Sequence, residues 1–386
     1  MDGVGVGQLP DANLYNDLGT NTLQNIAKAV DGLKLDNFQK LGLGNIISIK
    51  GVPPADNPWA FYGKMAEKSV GKDSTTGHWE IAGIENKKKF HVFTDGFPKE
   101  MLQLFLEETR LKGVLGNKAA SGTVIINELG DQHFNTGYPI VYTSADSVFQ
   151  IAAHENVIPH EELYKICEIA RKKVCTNQFN VCRVIARPFE GTSKNYKRNF
   201  YRKDFSVPPP ADTIYTYLVE NKIRSISIGK IAELFNHKNI DIEIKTNSNK
   251  EGLIATEKYM QEFDNSFIFT NLVDFDIHYG HRLDPFGFAE ALKETDAFLP
   301  RLIDKLDDSD ILIITADHGN DPTVKSTDHS REYVPLLVYN KKSKKIITNK
   351  SLGVLKTFAD IGQTAAHYFG LNNFLKGKSF LKKIFS

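Results

Sequence analysis

Two short apolar segments, each ending in a cluster of carboxylate and imidazole side chains, constrain the fold of this 386-residue chain more than any other feature. Residues 266–273 lead directly into Asp274-Phe275-Asp276, and residues 311–314 lead into Thr315-Ala316-Asp317-His318. Apolar segments of this length, bounded by polar residues, are consistent with buried strands. Because open α/β sheets bind ligands beyond the carboxyl ends of their strands, this pattern predicts a functional site at that edge.

The segment between these two strands has the pattern of an amphipathic helix. Asp284-Pro285 is a helix start signal, and apolar residues then recur at helical spacing. The strand–helix–strand order predicts a βαβ unit, and the alternation of such segments along the chain predicts the α/β class. The recurring apolar positions are Phe288, Leu292, Leu299, Leu302, Ile303 and Leu306.

The middle of the chain indicates a second domain inserted into the first. Residues 98–110 and 160–173 are helix-like, residues 141–143 and 181–186 are strand-like, and Pro208-Pro209-Pro210 is typical of a hinge. We therefore predict a discontinuous core, residues 1–89 and 208–386, and a smaller inserted α+β domain, residues 90–207.

Composition excludes several classes of function. Lys and Arg number 48 against 47 for Asp and Glu, so net charge favours neither nucleic acid nor an anionic membrane as a partner. No apolar segment is long enough for a membrane-spanning helix, and the N-terminus does not resemble a signal peptide. Three cysteines without a CxxC pair favour reduced thiols in a cytoplasmic protein. We expect a monomer, although the sequence does not determine the oligomeric state.

Six side chains have the chemistry of a metal site. A lone Asp–His pair is usually a helix cap or a surface hydrogen bond, but two clusters that end neighbouring strands favour shared function. Mixed carboxylate and imidazole ligands suit Mn²⁺ or Zn²⁺ better than Ca²⁺, and six ligands could hold two ions that clamp a phosphoryl group. The candidate ligands are Asp2, Asp276, His281, Asp317, His318 and His329.

Five motifs, in one order along nearly the whole chain, resemble the phosphopentomutase family of the alkaline phosphatase superfamily. The resemblance implies an alkaline-phosphatase-like core with a central, mostly parallel sheet flanked by helices, together with an inserted cap domain. The motifs are residues 71–80 (GKDSTTGHWE), 142–147 (YTSADS), 271–276 (NLVDFD) with 280–282 (GHR), 315–322 (TADHGNDP) and 327–337 (TDHSREYVPLL).

The resemblance implies a division of roles among these residues. One metal ion, expected to be Mn²⁺, is held by Asp276, His281 and His329, and a second by the remaining three candidate ligands. The nucleophile is the hydroxyl residue after Lys-Asp, which here is Ser74 where the family usually has threonine. Thr75 or Thr76 is an alternative nucleophile.

The family resemblance also implies the reaction and the residues that bind the substrate. Ser74, primed by glucose 1,6-bisphosphate or ribose 1,5-bisphosphate, would interconvert ribose 1-phosphate and ribose 5-phosphate, or the 2-deoxyribose equivalents, through a bisphosphate intermediate. Such an isomerase serves nucleoside and pentose phosphate metabolism. Arginines of the inserted domain would grip the distal phosphate, and other side chains would meet the sugar hydroxyls. The residues are Ser144, Asp146, Arg183, Arg198, Arg202 and, near the hinge, Lys230.

Three alternatives remain at this point. A phosphatase or phosphodiesterase could use the same metal core, and the serine nucleophile favours it, whereas the match of the inserted domain opposes it. A phosphosugar binder without metal is opposed by the presence of all six ligands. Family members also carry a strand ahead of the aspartate that corresponds to Asp2, whereas this chain begins at Met1. We therefore expect an N-terminally truncated form that folds poorly, holds Asp2 loosely and has weak activity.

Overall fold

The computed structural model describes residues 1–144, 147–345, 350–373 and 375–385. The chain forms two compact units, residues 1–87 with 209–386 (unit 1) and residues 88–208 (unit 2). Both units combine helices with sheets, so the predicted α/β class is confirmed. No helix among these residues is both long and apolar enough to cross a membrane.

Unit 1 contains two sheets. The strands are β1 (Phe61–Met65), β8 (Arg224–Ile228), β9 (Ile242–Ile244), β10 (Ser266–Thr270), β11 (Leu312–Thr315), β12 (Val334–Tyr339) and β13 (Ser351–Leu355). In the first sheet, β12 is antiparallel to β11 and β1, and β13 is parallel to β1, whereas β10, β8 and β9 form a second, wholly parallel sheet. The helices are α1 (Thr22–Ala29), α2 (Asp36–Leu41), α3 (Ser74–Ile81), α7 (Ile214–Glu220), α8 (Ile231–Leu234), α9 (Asn249–Glu262), α10 (Pro285–Lys305), α11 (Ala359–Tyr368) and α12 (Leu381–Phe385).

Unit 2 contains one mixed sheet with the strand order β2-β3-β4-β5-β6, and β7 also pairs with β5. Its strands are β2 (Leu115–Ala119), β3 (Ile140–Thr143), β4 (Val148–His154), β5 (Arg183–Thr192), β6 (Asn195–Arg198) and β7 (Lys203–Ser206). Its helices are α4 (Lys99–Thr109), α5 (Gly122–Thr136) and α6 (His160–Ile169). Each unit has its own buried apolar cores, and the three cysteines of unit 2 are buried and unbridged.

Helix α10 forms as the sequence predicted. The Asp284 side chain accepts a hydrogen bond from the Gly287 N–H, and Pro285 occupies the first helical position, where its missing N–H costs nothing. All six apolar positions that predicted this helix are buried in the core of unit 1. The helix links β10 to β11, but these strands lie at the ends of different sheets and do not form a βαβ unit within one sheet.

The start of the chain lies between the carboxyl ends of β10 and β11. The Met1 ammonium donates a hydrogen bond to the Thr315 carbonyl oxygen (2.9 Å), and the Asp2 N–H donates to the Leu272 carbonyl oxygen (3.1 Å). Asp2 is fully buried. The expectation that Asp2 would be held loosely is therefore wrong, because hydrogen bonds to both strand ends fix its backbone. The expectation of weak activity stays a prediction.

A buried carboxylate joins this N-terminal segment to β12. Glu332 accepts hydrogen bonds from the Gly7 and Thr22 N–H groups and from the Thr22 and Ser330 hydroxyls. Burial nevertheless raises the pKa of Glu332 from the ordinary 4.5 to about 7, and these hydrogen bonds oppose the rise only in part. Ionisation of Glu332 in the folded protein is therefore unfavourable, and the free energy of unfolding depends on pH.

We expect Glu332→Gln to stabilise the protein progressively as the pH rises from about 5 to 7. The folded state keeps the Glu332 proton up to about pH 7, whereas the unfolded chain loses it near 4.5, so wild-type stability falls through this window. Glutamine does not titrate, and its NH₂ can face the two hydroxyls. Urea unfolding of both proteins at pH 5, 6, 7 and 8 measures the difference. A difference in unfolding free energy that is constant with pH would contradict the prediction.

Candidate metal centre

Three segments of unit 1 converge at the carboxyl ends of β10 and β11. The chain start brings Asp2, the segment after β11 brings Asp317 and His318, and a π-helical segment after β10, Phe275–Gly280, brings Asp276. The π-helical segment explains the Asp-x4-His spacing, because its i→i+5 hydrogen bond runs from the His281 N–H to the Asp276 carbonyl oxygen (3.0 Å). That turn brings His281 Nε2 within 3.2 Å of Asp276 Oδ2.

The first candidate group of metal ligands consists of Asp2, Asp317 and His318. His318 Nε2 lies 3.4 Å from Asp2 Oδ1 and 3.1 Å from Asp317 Oδ2, and all three side chains are buried. The Gly3 N–H donates to the other Asp317 oxygen, which fixes the orientation of that carboxylate. One oxygen of each carboxylate is thereby directed at the same imidazole nitrogen.

The second candidate group consists of Asp276, His318 and His329. His329 Nε2 lies 3.3 Å from Asp276 Oδ1, and the His318 and His329 ring centroids are 3.9 Å apart. His281 contacts Asp276 and lies 4.8 Å from the His329 ring, centroid to centroid, but is outside the group. The structure thus brings all six predicted ligands together, with His318 belonging to both groups.

Electrostatics in this cluster favour a cation. Burial alone would raise the pKa of Asp276, but the electrostatic influence of the neighbouring His329 and His281 imidazoles holds it well below its usual range. The pKa of Asp317 is likewise depressed, because His318 and His78 outweigh burial. Burial alone would lower the pKa of His318, yet Asp317 and Asp2 raise it well above its usual range. The carboxylates therefore create a negative electrostatic potential, which stabilises a cation bound next to the imidazole nitrogens.

The donor atoms of the cluster fit a divalent ion. Among the candidate ligands, three buried atoms have no hydrogen-bond partner within the described part of the chain, namely Asp2 Oδ1, Asp317 Oδ2 and His329 Nε2. Buried polar atoms are nearly always satisfied, so three at one place indicate a ligand with several coordination positions. Carboxylate oxygens and imidazole nitrogens suit Mn²⁺ and Zn²⁺. The cluster can therefore hold metal ions of this kind.

Ser74 is the first residue of α3, and its hydroxyl lies at this cluster. The Asp73 carboxylate caps the helix by accepting from the Thr76 N–H (3.0 Å) and hydroxyl (2.7 Å). Ser74 Oγ lies 3.1 Å from His318 Nε2. Glycine is needed at position 77, because a Cβ there would lie 2.1 Å from the Asp317 carbonyl oxygen. The helix start and this close packing set the position of the Ser74 hydroxyl.

Sequence reasoning did not assign roles to two side chains that contact the cluster. His78 Nδ1 lies 2.8 Å from the Ser74 carbonyl oxygen and 3.2 Å from Asp317 Oδ2, and Asn320 Nδ2 donates to Asp276 Oδ1 (2.7 Å). Both residues lie inside the motifs that carry the family resemblance, and His78 follows Ser74 by four residues on one helix face. That spacing was the signal that could have identified His78.

The predicted substrate residues lie in both units. In unit 1, Lys230 Nζ is 3.5 Å from Asp2 Oδ2. In unit 2, Arg202 binds both oxygens of Asp204 through Nε and a terminal nitrogen (2.8 Å each), and Arg183 lies 3.7 Å from the same carboxylate. Arg198 is exposed at the end of β6, and Ser144 follows β3. Asp146 lies outside the described residues.

Comparisons with known proteins identify the family. Residues 1–373 match the model of the metalloenzyme superfamily. A phosphopentomutase of Dictyoglomus thermophilum is 55% identical over 384 residues, covering 100% of this chain and 97% of that protein, and one of Acetivibrio thermocellus is 53% identical, covering 100% and 98%.

A structural alignment with a phosphoglycerate mutase of Leishmania mexicana covers 98% of this chain and 96% of the mutase chain, with a TM-score of 0.47 and 11% sequence identity. This structural likeness adds nothing to the family assignment, which rests on the sequence identity over the whole chain. The chain therefore belongs to the phosphopentomutase family of the metalloenzyme superfamily, and it is an isomerase that transfers phosphate within its substrate.

Proposed function

We propose that this chain interconverts ribose 1-phosphate and ribose 5-phosphate, and the 2-deoxyribose equivalents, through a phosphoserine at Ser74. The observation that carries the proposal is the position of the Ser74 hydroxyl, 3.1 Å from the imidazole that belongs to both candidate metal groups. The Thr76 hydroxyl, one of the alternatives, is engaged by Asp73 as part of the helix cap. The geometry therefore favours Ser74 over Thr76.

Two divalent ions, which we expect to be Mn²⁺, would be held by Asp2, Asp317, Asp276 and the three histidines, with His318 at the centre of the cluster. Such ions, when bound, supply positive charge that activates the attacking oxygen and stabilises the transferring phosphoryl group. The protein itself contributes the N-terminus of α3, whose positive dipole end favours negative charge on a phosphate at Ser74.

The proposed cycle conserves both phosphates. Ser74, phosphorylated by glucose 1,6-bisphosphate or ribose 1,5-bisphosphate, gives its phosphoryl group to the free hydroxyl of the bound pentose monophosphate. The P–O bond to serine breaks as the P–O bond to the sugar forms, and the proton of the sugar hydroxyl passes to the serine oxygen. The bisphosphate then returns its other phosphoryl group to Ser74, which releases the isomer.

We further propose that the arginines of unit 2 bind the phosphate that is not being transferred. Arg183 and Arg198 present guanidinium groups that match phosphate oxygens, and Arg202 would share its fork with Asp204. Ser144 and Asp146 would form hydrogen bonds with sugar hydroxyls, and Lys230, a residue of unit 1, would contact a phosphate of the substrate. We also propose a cytoplasmic location, which the unbridged cysteines support.

A hydrolase is the second candidate, because serine is the nucleophile of the alkaline phosphatases. An assay with Mn²⁺ and glucose 1,6-bisphosphate separates the two activities, since it follows both ribose 5-phosphate formation and free phosphate release from ribose 1-phosphate. We expect isomerisation without stoichiometric phosphate release. Phosphate release without isomerisation would overturn the proposal in favour of a hydrolase.

Removing the shared imidazole should weaken binding of both metal ions. We expect His318→Ala to lower Mn²⁺ affinity by at least about 100-fold, because loss of even an outer partner of a metal ligand typically costs 10–100-fold. His278→Ala is the matched control, since His278 is half-exposed on the π-helical segment that carries Asp276 and belongs to neither group. Equilibrium dialysis with metal analysis gives the affinity and stoichiometry. Equal Mn²⁺ binding by wild type and His318→Ala would contradict the ligand assignment.

A hydroxyl group at position 74 should be essential for activity, but the residue that carries it can be serine or threonine. We expect Ser74→Ala to lose turnover by at least about a thousandfold and to take up no phosphate from labelled glucose 1,6-bisphosphate. Ser74→Thr keeps a hydroxyl at the same position and should keep both properties. Mass spectrometry of the intact chain detects the phosphoenzyme. Phosphate on Ser74→Ala, located by peptide mapping at Thr75 or Thr76, would reassign the nucleophile.

A further inference from the structure

A buried hydroxyl in unit 2 has no partner within the described part of the chain. Tyr142 on β3 is fully buried, and its hydroxyl makes no hydrogen bond there. Burial of an unsatisfied hydroxyl costs free energy that phenylalanine would not, so a ligand that accepts its hydrogen bond would offset this cost.

The Tyr142 hydroxyl is directed at the N-terminus of α5. A Cβ built at Gly122, the first residue of this 15-residue helix, would lie 2.7 Å from the hydroxyl oxygen. The Ser121 side chain makes no capping hydrogen bond to the helix. The free N–H groups of a helix start carry partial positive charge and bind anions readily.

Three arginines lie near enough to the same hydroxyl to influence it electrostatically. Arg187, Arg198 and Arg202 all act on Tyr142 electrostatically, and the Arg198 Cδ lies 3.7 Å from the Cβ position of Gly122. The Tyr142, Gln150 and Arg187 side chains share one face of the sheet, where Arg187 Nε donates to Gln150 Oε1 (3.1 Å).

Among the described residues of this cluster, the positive charge exceeds the negative charge. Asp204 is the carboxylate described beside these arginines, and Arg202 occupies both of its oxygens. Burial, followed by repulsion from Arg202, lowers the pKa of Arg187 to about 10. A half-buried guanidinium among other guanidinium groups is stabilised by an added anion.

We propose that the N-terminus of α5, the Tyr142 hydroxyl and the Arg187 and Arg198 guanidinium groups form a site for the phosphate group of a sugar phosphate. This inference rests on the proposed function for the identity of the ligand. It adds Tyr142, Arg187 and the start of α5 to Arg198, which the family resemblance already implicated. The hydroxyl and the helix N–H groups donate to phosphate oxygens, and the guanidinium groups add charge and paired donors.

The test uses the full chain in EDTA, so that metal-bound phosphate does not contribute, with inorganic phosphate and ribose 5-phosphate as calorimetric probes. We expect Tyr142→Phe to weaken binding of both probes by about tenfold or more, the usual effect of losing a hydrogen bond to a charged group. The same variant should melt at the same temperature as the ligand-free wild type or higher, because it removes an unsatisfied hydroxyl.

Two further variants sharpen the result. The second variant adds Gly122→Ala to Tyr142→Phe. Without the Tyr142 hydroxyl, the nearest atom to the new methyl group is the ring Cζ of residue 142, 3.5 Å away, so the methyl group fits. It would lie at the proposed anion position, so phosphate binding should weaken further. Tyr164→Phe is the control, since it removes an exposed hydroxyl that donates to the Tyr201 carbonyl oxygen in the same unit. Its phosphate binding should equal that of the wild type.

The outcomes separate this site from the proposed function. Wild-type protein that fails to bind either probe, or a Tyr142→Phe variant that melts lower and binds both probes normally, would overturn the site. Binding lost in Tyr142→Phe by a chain that never isomerises ribose phosphates would support an anion site and refute the proposed function. Isomerisation with unchanged KM and kcat in Tyr142→Phe would leave the function standing and refute the inference.

Discussion

Burial of several ionisable side chains at one place is the constraint on which the core of unit 1 depends. Asp2, Asp276 and Asp317 are buried together with His318 and His329. Removing a charge from water costs several kcal/mol even after relaxation, so such a cluster persists only when opposite charges and hydrogen bonds compensate it. Imidazoles compensate part of this cost, and the three unsatisfied atoms indicate that divalent ions compensate the remainder. Stability and chemistry are therefore linked at this site.

Further buried charges hold the segment that precedes Ser74. Arg331 donates to the Ser69 and Gly71 carbonyl oxygens and to the Glu67 carboxylate, and Glu80 accepts from the Ser69 N–H. These contacts fix the chain just before Lys72-Asp73-Ser74 from two sides. A substitution at either buried charge would leave the other groups unpaired, and it would move Ser74 without touching it.

The two units carry opposite electrostatic character. The cluster of unit 1 is rich in carboxylates and attracts cations, whereas the cluster around Tyr142 in unit 2 contains several arginines and only partial compensation by Asp204. The fold builds each from its own strands and loops, so each can be tested by its own substitutions.

The sequence by itself determined the α/β class, helix α10, the chemical type of the candidate ligands and the family, because these depend on local spacing and on motifs that are read residue by residue. Only the tertiary structure showed that His318 belongs to both groups, that a π turn aligns Asp276 with His281, and that β10 and β11 lie in different sheets. It alone brought the Tyr142 hydroxyl to the start of α5. Apart from the π turn, which is local, these features depend on contacts between residues well separated in the chain, and local patterns contain no information about such contacts.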